Sequence, residues 1–310
     1  GTRLGGSMIL NLGINFTATH ETGFGSFTLH SGGIQWHVLS DLTMGSFRGY
    51  NRFTLFERNP WDPITNSVFG RYDKYYNEGA VDQDVRWGNR AFKGFVLEGA
   101  ELPADLKAKI LIGKTELNGG FSSTPNMSYG GQLVKQLNNG RYYGINTISS
   151  VTYADSLALE KVGFNTLTFE VNEKIKSFGL HVEAGMAQYF SPLHNEGWGQ
   201  MLSGTITSPI KKNIPVISLH GFSIAPEVFN NNSVFLNSSV TEYTINDIPA
   251  GSIGSSAVLR PTGSAMLRMG MMSNNRKGLD LNIEQTWDNI SFNIGFGMNG
   301  EITPMSNVIT

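Results

Sequence analysis

The chain has 310 residues, a formal net charge of −2 and no cysteine. The lack of cysteine excludes disulfide bonds and cysteine-ligated metal sites. The near-neutral charge argues against nucleic acid as a partner. No apolar run is long enough for a transmembrane helix. Since no linker or charge block divides the sequence, residues 1–310 are predicted to form a single β domain.

Alternation of large apolar residues with small or polar ones is the main pattern along the chain. It is clearest at residues 8–18, 178–189, 279–287 and 290–298. Such alternation places one face of a β-strand against an apolar phase and the other against water. Each segment is about ten residues long, whereas soluble strands usually have about five or six and a tilted transmembrane strand needs roughly nine to eleven. These segments are therefore predicted to be transmembrane β-strands.

Weaker alternation is found at residues 34–44, 106–114, 145–151, 166–171 and 216–224. In the clear segments, no charged residue lies on the apolar side. A lipid-facing charge near the bilayer midplane would cost roughly 2–4 kcal/mol, so its absence is expected of a membrane barrel.

Turn signals separate the alternating segments. Asn138-Asn139-Gly140 predicts a tight turn, because Asn and Gly tolerate positive φ. Connections between residues 138 and 264 alternate between short and long, as they do in outer-membrane barrels. The longest predicted loops lie near residues 58–90 and 225–264, and residues 155–161 are predicted to form one or two helical turns.

These patterns predict an all-β fold, an antiparallel transmembrane β-barrel with roughly fourteen to sixteen strands. The sequence starts at Gly1 without a signal peptide, and it ends at Thr310 without the terminal aromatic residue that is typical of such barrels. We therefore expect a mature chain or a fragment of a larger barrel. A barrel of this size has a lumen wide enough for water unless loops plug it.

Charged residues that alternate away from the apolar positions are predicted to line the lumen. Lys107 and Lys109 alternate with apolar residues from Leu106 onward. A lumen with charges of both signs suits either a selective pore or a salt-bridged, partly plugged interior. The other lumen-lining candidates are His181, Glu183, Arg268, Asp280 and Glu284.

The predicted loop at residues 58–90 combines aromatic residues with carboxylates. Its aromatic rings suit stacking on sugars, or alternatively an interfacial belt that packs the loop against the barrel rim. The carboxylates are candidate calcium ligands, although their spacing does not match the roughly twelve-residue calcium loop. No other cofactor is expected. The glycan-stacking candidates are Trp61, Tyr75, Trp87 and, in a later loop, Trp198, and the calcium candidates are Asp73, Asp82 and Asp84.

Motifs of known catalytic families are absent from the sequence. It has no Gly-x-Ser-x-Gly elbow, no phosphate-binding glycine loop and no His-Glu-x-x-His. His37 and Asp41 lie four residues apart in a weak predicted strand, which favours a rim or lumen pair over a catalytic dyad. We therefore expect that the protein is not an enzyme.

The stretch WGNRAFKGFVLEG at residues 87–99, followed by ELP at 101–103 and IGKT at 112–115, resembles segments of large Bacteroidetes outer-membrane β-barrels. The stretch QTWDNISFNIG at residues 285–295 does so as well. The resemblance is one of style over most of the chain. It implies a location in a Gram-negative outer membrane and a role in transport, secretion or surface assembly, and it transfers no functional residue.

The leading functional prediction is porin-like passage of solutes or polymers across the bacterial outer membrane. One alternative is a barrel scaffold in a secretion or capsule/surface-assembly complex, marked by a lumen that loops or a partner fill. Another is a secreted, soluble all-β domain that binds or cleaves glycans and packs its apolar strand faces inside. The expected partner is the lipid bilayer, with other outer-membrane or surface proteins, or polysaccharide, as further candidates.

Overall fold

The computed structural model describes residues 14–32, 35–45, 90–115, 126–153, 161–190, 197–211, 214–230, 232–235, 237–238, 244–245, 248–249, 258–259, 272–287 and 290–303. Regular structure in these residues is β-strand apart from two short 3-10 turns, Pro103–Asp105 and Asn138–Gly140. No helix within these ranges has the length and hydropathy to cross a membrane.

One antiparallel sheet of 13 strands contains most of the described residues. Twelve of them follow the order β1-β2-β4-β5-β6-β7-β8-β9-β10-β11-β16-β17, and β3 pairs with the start of β4. The remaining strands form two small pairs, β12 with β15 and β13 with β14. The bounds in chain order are β1 Phe16–Thr22, β2 Gly25–Ser31, β3 Gln35–His37, β4 Arg90–Leu102, β5 Leu106–Thr115, β6 Asn126–Gln136, β7 Tyr142–Tyr153, β8 Lys161–Ile175, β9 Phe178–Phe190, β10 Gly199–Thr207, β11 Val216–Ile224, β12 Asn237–Ser238, β13 Thr244–Ile245, β14 Ile248–Pro249, β15 Val258–Leu259, β16 Arg276–Trp287 and β17 Ile290–Glu301.

Strand length separates this sheet from an ordinary soluble one. The strands β4 to β11, together with β16 and β17, have 9 to 15 residues each. Soluble strands average about five or six residues. The all-β, antiparallel part of the fold prediction is confirmed. The strands β1 and β17 end the order, and no pairing between them is found in the described part of the chain.

Most of the predicted strands are confirmed. The clear segments at residues 178–189, 279–287 and 290–298 lie in β9, β16 and β17. The weaker segments at residues 106–114, 145–151, 166–171 and 216–224 lie in β5, β7, β8 and β11. Most of the alternating segment at residues 8–18 lies outside the described residues. So do most of the helical turns predicted at residues 155–161, and residues 58–89 of the first predicted long loop. Four strands of the main sheet, β2, β4, β6 and β10, show no clear alternation in the sequence.

The strand predicted at residues 34–44 is wrong for most of its length. Only Gln35–His37 forms a strand, and residues 38–45 turn away from it. We call residues 38–45 the strap. His37 and Asp41 therefore do not lie on one strand, as the sequence had suggested. The alternation fails here because the strap makes its hydrogen bonds within residues 39–44, to side chains of the sheet and to residues around Asn230, and does not extend a strand ladder.

In the described part of the chain, one face of the sheet is exposed, and its side chains are mainly apolar. The cross-strand register keeps large apolar residues in line from strand to strand, for example Leu97 opposite Ile110 and Ile283 opposite Ile294. We call this side the apolar face. Its exposed side chains in the long strands include Phe95, Leu97, Ile110, Ile112, Met127, Tyr129, Leu133, Ile145, Leu167, Phe169, Met186, Leu202, Ile206, Ile217, Leu219, Leu279, Phe292, Ile294, Phe296 and Met298.

The opposite side, the covered face, lies beneath the strap and residues 225–230 and 232–235. Strap residues Leu39 and Met44 pack in an apolar cluster with Val96, Leu111 and Ile148 of the sheet. A second apolar cluster joins Leu42 to β10 and β11, and the remaining buried positions of this face are mainly polar. The second cluster consists of Leu42, Ala187, Met201, Phe222, Ile224, Val228, Val234, Phe235 and Met272. Buried polar residues of the same face include Ser128, Asn146, Ser150, Thr166, Thr168, Glu170, Glu183, Ser203, Asp280 and Asn282.

The tight turn predicted at Asn138–Gly140 is confirmed and connects β6 to β7. Asn139 has φ 65° and ψ 30°, in the left-handed region. A β-branched residue there would lose about 1–2 kcal/mol. Asn139→Val should therefore lower the free energy of unfolding by about that amount, measured by denaturant titration of the purified protein, while Asn139→Gly should not. Asn138→Val in the same turn is the matched control, and an equal loss there would contradict the explanation.

Candidate functional site

The strap binds to a buried carboxylate near the middle of the covered face. Glu183 of β9 is fully buried. Its Oε1 accepts a hydrogen bond from Ser40 Oγ at 2.6 Å, and its Oε2 accepts one from the Leu42 backbone N–H at 3.0 Å. Burial of a carboxylate without hydrogen-bond donors costs free energy. The strap supplies donors to Glu183, and Glu183 supplies an acceptor to the Ser40 hydroxyl and the Leu42 N–H.

The start of the strap is held by the neighbouring strands. Lys109 Nζ of β5 donates to the Val38 carbonyl at 3.2 Å, and Gln132 Nε2 of β6 donates to the Leu39 carbonyl at 2.6 Å. The strap has no strand partner over these residues, so side chains of the sheet satisfy its backbone carbonyls instead. Lys107, two residues before Lys109, is exposed on the same face.

Residues 225–230 and 232–235 also form hydrogen bonds with the strap. Asn230 Nδ2 donates to the carbonyls of Leu42 and Thr43 at 3.0 and 2.8 Å. The Val234 backbone N–H donates to the Asp41 carbonyl at 2.9 Å. Because these bonds come from residues nearly 190 positions away along the chain, tertiary contacts hold the strap in addition to the hydrogen bonds within residues 39–44.

A second buried carboxylate lies beside Glu183. Glu170 of β8 is the cross-strand partner of Glu183. Its Oε1 accepts a hydrogen bond from Tyr142 OH at 2.5 Å and contacts His181 Nε2 at 2.9 Å. Asn146 Nδ2 donates to Oε2 at 3.3 Å. The His181 ring and the hydroxyl and amide donors thus surround Glu170, which compensates for its burial.

A third charged group lies towards β4. Glu98 Oε1 is 2.9 Å from Lys109 Nζ, and Glu98 is also within 3.9 Å of both His30 and His37. Lys109 therefore links Glu98 to the strap carbonyl of Val38. Opposite charges on neighbouring strands here form local pairs across the covered face.

Three adjacent strands carry a hydrogen-bonded row of serine, histidine and aspartate. Ser203 Oγ of β10 is 3.1 Å from His220 Nε2 of β11, and His220 Nδ1 is 3.3 Å from Asp280 Oδ2 of β16. Phe222 stacks on the imidazole, with ring centroids 5.9 Å apart and an interplanar angle of 22°. A hydroxyl, an imidazole and a carboxylate in this order have the connectivity that activates a serine nucleophile.

The predicted lumen-lining residues lie on one face wherever the structure describes them. Lys109 pairs with Glu98, and His181 pairs with Glu170. Arg268 lies outside the described residues. Glu284 is exposed, and its Oε1 accepts a hydrogen bond from Asn282 at 2.7 Å. Cross-strand register places Lys107, Lys109, His181, Glu183, Asp280 and Glu284 on the covered side.

The predicted glycan and calcium sites fall mostly outside the described residues. Trp198, just before β10, is half exposed at 50%. No group of three or more histidine, aspartate or glutamate side chains arranged to hold a metal ion occurs in the described ranges. The candidates outside them are Trp61, Tyr75, Trp87, Asp73, Asp82 and Asp84.

Sequence reasoning missed several residues of the covered face. Glu170 and His220 occupy covered-face positions of strands whose alternation is weak, and Ser203 lies in a strand that was not singled out. Counting alternate positions from the known register would have found all three. Ser40 had no such signal, because the strap follows no strand period.

Asp41 is the titratable residue of the strap itself. It lies near His181, His220 and Glu170 of the sheet. Burial raises the pKa of Asp41 to about 6, and the Glu170 carboxylate adds to this rise while the two histidines oppose it. The docked strap thus favours the protonated form of Asp41 more than a free strap would.

Comparison with protein-family models, with curated proteins and with solved structures finds no match to this chain. We therefore infer function from the faces of the sheet, the strap and the side-chain clusters.

The pKa of Asp41 predicts how strap docking depends on pH. Its value rises from 3.8 to about 6 on docking, so docking is strongest below about pH 4 and weakens as the pH rises through about 6. The expected loss is roughly 1–3 kcal/mol. Met44, a residue of the strap, is fully buried against the sheet. Its oxidation by hydrogen peroxide, followed by peptide mass spectrometry, should be faster at pH 7.5 than at pH 4 relative to exposed Met127.

Asp41→Asn is the control for this titration. The amide cannot ionise, so the ratio of Met44 to Met127 oxidation should vary much less with pH than in the unmodified protein. The same pH dependence in Asp41→Asn would assign the effect to Glu183, Glu170 or the neighbouring histidines instead.

Proposed function

We propose that the protein is an outer-membrane β-barrel whose apolar face contacts lipid and whose covered face lines an interior that the strap closes. Passage of solutes along this interior is gated by displacement of the strap. The observation that carries the proposal is the reversed polarity of the sheet. Its bare face is apolar, while its buried face holds carboxylates such as Glu170 and Glu183.

The apolar face supports a lipid environment. Soluble monomers rarely expose contiguous apolar patches larger than a few hundred Å². Here the apolar positions continue across neighbouring strands from Phe95 in β4 to Phe296 in β17. In water such a surface would aggregate, whereas in a bilayer it is the favourable exterior.

Charges on the apolar face support the same orientation. For the described side chains of β5 to β11, the charged positions on this face are Lys114, Lys135 and Glu173, and all three lie near strand ends. Tyr143 OH donates to Glu173 Oε1 at 2.7 Å, and Arg141 lies 3.4 Å from Glu173. Tyrosine and charged residues at strand ends match the interfacial zone of a membrane protein.

Membrane insertion also requires that the sheet edges be satisfied. In hydrocarbon, unpaired backbone groups cost several kcal/mol each, so spanning sheets close into barrels. We propose that β1 and β17 find their second neighbours by pairing with each other or with further strands in the assembled barrel.

The strap distinguishes this proposal from an open porin. It is held by Glu183, Lys109, Gln132 and Asn230, and it fills space that an open channel would leave to water. The same filling favours a second candidate, a barrel scaffold in a secretion or surface-assembly complex, which needs no solute path. A soluble glycan-binding domain has less support, because it would have to pack the apolar face inside.

The lipid-facing role of the apolar face predicts an asymmetric response to charge. Ile294 is 50% exposed on the apolar face, whereas Asn293 is the cross-strand partner of Glu284 on the covered face. Ile294→Arg should cost roughly 2–4 kcal/mol and prevent stable insertion into vesicles. Asn293→Arg should insert normally, since it can pair with Glu284. Equal insertion of the two variants would mean that the apolar face does not contact lipid.

The gating role of the strap predicts a change in conductance. Glu183→Ala removes the acceptor of Ser40 Oγ and the Leu42 N–H, which leaves donors unsatisfied and loosens the strap. Its conductance in planar bilayers should rise several-fold over that of the unmodified protein. Glu284→Ala on the same face is the control and should leave conductance unchanged.

Ion selectivity separates passage along the covered face from leakage. In the Glu183→Ala background, Lys107→Glu should shift selectivity towards cations, because Lys107 is exposed on the covered face. High salt should reduce the shift, since charges in water are screened over about 8–10 Å. If neither protein conducts, the scaffold candidate replaces the gated path.

A further inference from the structure

We propose that Ser203, His220 and Asp280 form a nucleophilic site that hydrolyses neutral or cationic carboxylic esters with short acyl chains. This activity goes beyond passage across the membrane and does not depend on it. The observation behind it is the hydrogen-bonded row across β10, β11 and β16, which has the atoms of a serine hydrolase in the required order.

The row has the connectivity that nucleophilic catalysis requires. The base must contact the nucleophile through one ring nitrogen and the carboxylate through the other. Here His220 Nε2 lies 3.1 Å from Ser203 Oγ, and Nδ1 lies 3.3 Å from Asp280 Oδ2. The carboxylate favours the proton on Nδ1, so Nε2 is the atom that accepts the serine proton.

Strand register holds the three groups in place. His220 is the direct cross-strand partner of Asp280, and Ser203 lies opposite Phe222, two residues along from His220. Stacking of Phe222 on the imidazole limits rotation of the ring. A site built on adjacent strands of one sheet needs no loop movement to align its nucleophile and base.

The proposed reaction needs only these three residues, an ester and water. Ser203 Oγ attacks the ester carbonyl carbon and forms a C–O bond, while its proton moves to His220 Nε2. The bond from the carbonyl carbon to the alkoxy oxygen breaks, and the alcohol leaves with the proton from Nε2. Water then attacks the acyl carbon and gives a proton to Nε2. The bond from the acyl carbon to Ser203 Oγ breaks, the acid is released, and Nε2 returns its proton to Oγ.

The neighbours of Ser203 define the class of ester. Met201, Phe222 and Ile224 are buried next to it and form an apolar surface for a short acyl chain. Glu183 is the cross-strand partner of Ser203. Asp41 also lies near His220. Whichever of these two acidic side chains is ionised disfavours anionic substrates by like-charge repulsion.

The strap shelters the site. Leu42 packs in the same apolar cluster as Met201 and Phe222, so it occupies the position proposed for the acyl chain. Ser203 is 8% exposed. Displacement of the strap would therefore both uncover the nucleophile and empty the acyl position.

The test uses an alkyl fluorophosphonate probe on the full chain in detergent. Ser203 Oγ would form an O–P bond as the P–F bond breaks and fluoride leaves. The expected result is an adduct located at Ser203 by peptide mass spectrometry, formed several-fold faster in Leu42→Gly, whose strap leaves the acyl position open. Hydrolysis of 4-nitrophenyl butyrate should follow the same order.

Variants separate chemistry from structure. Ser203→Ala should abolish the adduct, and Ser218→Ala should not, although Ser218 is a covered-face hydroxyl on the neighbouring strand that contacts Thr207. His220→Gln should slow labelling at least ten-fold. Asp280 is a positioning residue, so Asp280→Glu should retain more labelling than Asp280→Asn at equal thermal stability.

Two results would overturn the proposal. One is the absence of any adduct at Ser203 in both the unmodified protein and Leu42→Gly. The other is a Ser203 adduct whose rate is the same in His220→Gln, since such a serine would react without a base.

Discussion

Cross-strand register is the constraint on which the rest of this structure depends. Side chains alternate between the faces of a strand with a period of two, so a slip by one residue would exchange the two faces of that strand. Leu97 opposite Ile110 and Glu98 opposite Lys109 illustrate the alignment at neighbouring positions. The same alignment repeats across twelve strands. It gathers exposed apolar side chains on one face, where the charged positions of β5 to β11 lie near strand ends, and it collects buried carboxylates on the other face.

The buried carboxylates of the covered face require hydrogen-bond donors. Glu170 finds them within the sheet, in Tyr142, Asn146 and His181. Glu183 finds two of its donors in the strap. The difference matters for function, because a carboxylate satisfied by a separate segment links an internal electrostatic requirement to a movable element. In the proposed function, the hydrogen bonds between Glu183 and the strap close the interior with the protein's own chain. This closure depends on pH through Asp41, the titratable residue of the strap.

The strap also connects the two proposals. It lies over Glu183 and places Leu42 against the apolar residues beside Ser203. Opening a path along the covered face and uncovering the serine would be the same movement. A barrel interior with a sheltered nucleophile would thus expose its chemistry only when the interior is open.

The sequence determined the strands whose alternation is strong, such as β9, β16 and β17, because a period of two is a local property of the chain. It also determined the face of Lys109, Glu183 and Asp280, since parity within a strand fixes the side. The strap at residues 38–45 could not be predicted, because its alternation imitates a strand while its bonds go to residues as distant as Asn230. The row of Ser203, His220 and Asp280 was equally invisible, since their separations along the chain carry no motif and only strand pairing brings them within hydrogen-bonding distance. Local periodicity therefore decided which residues share a face, and tertiary pairing alone decided which of them touch.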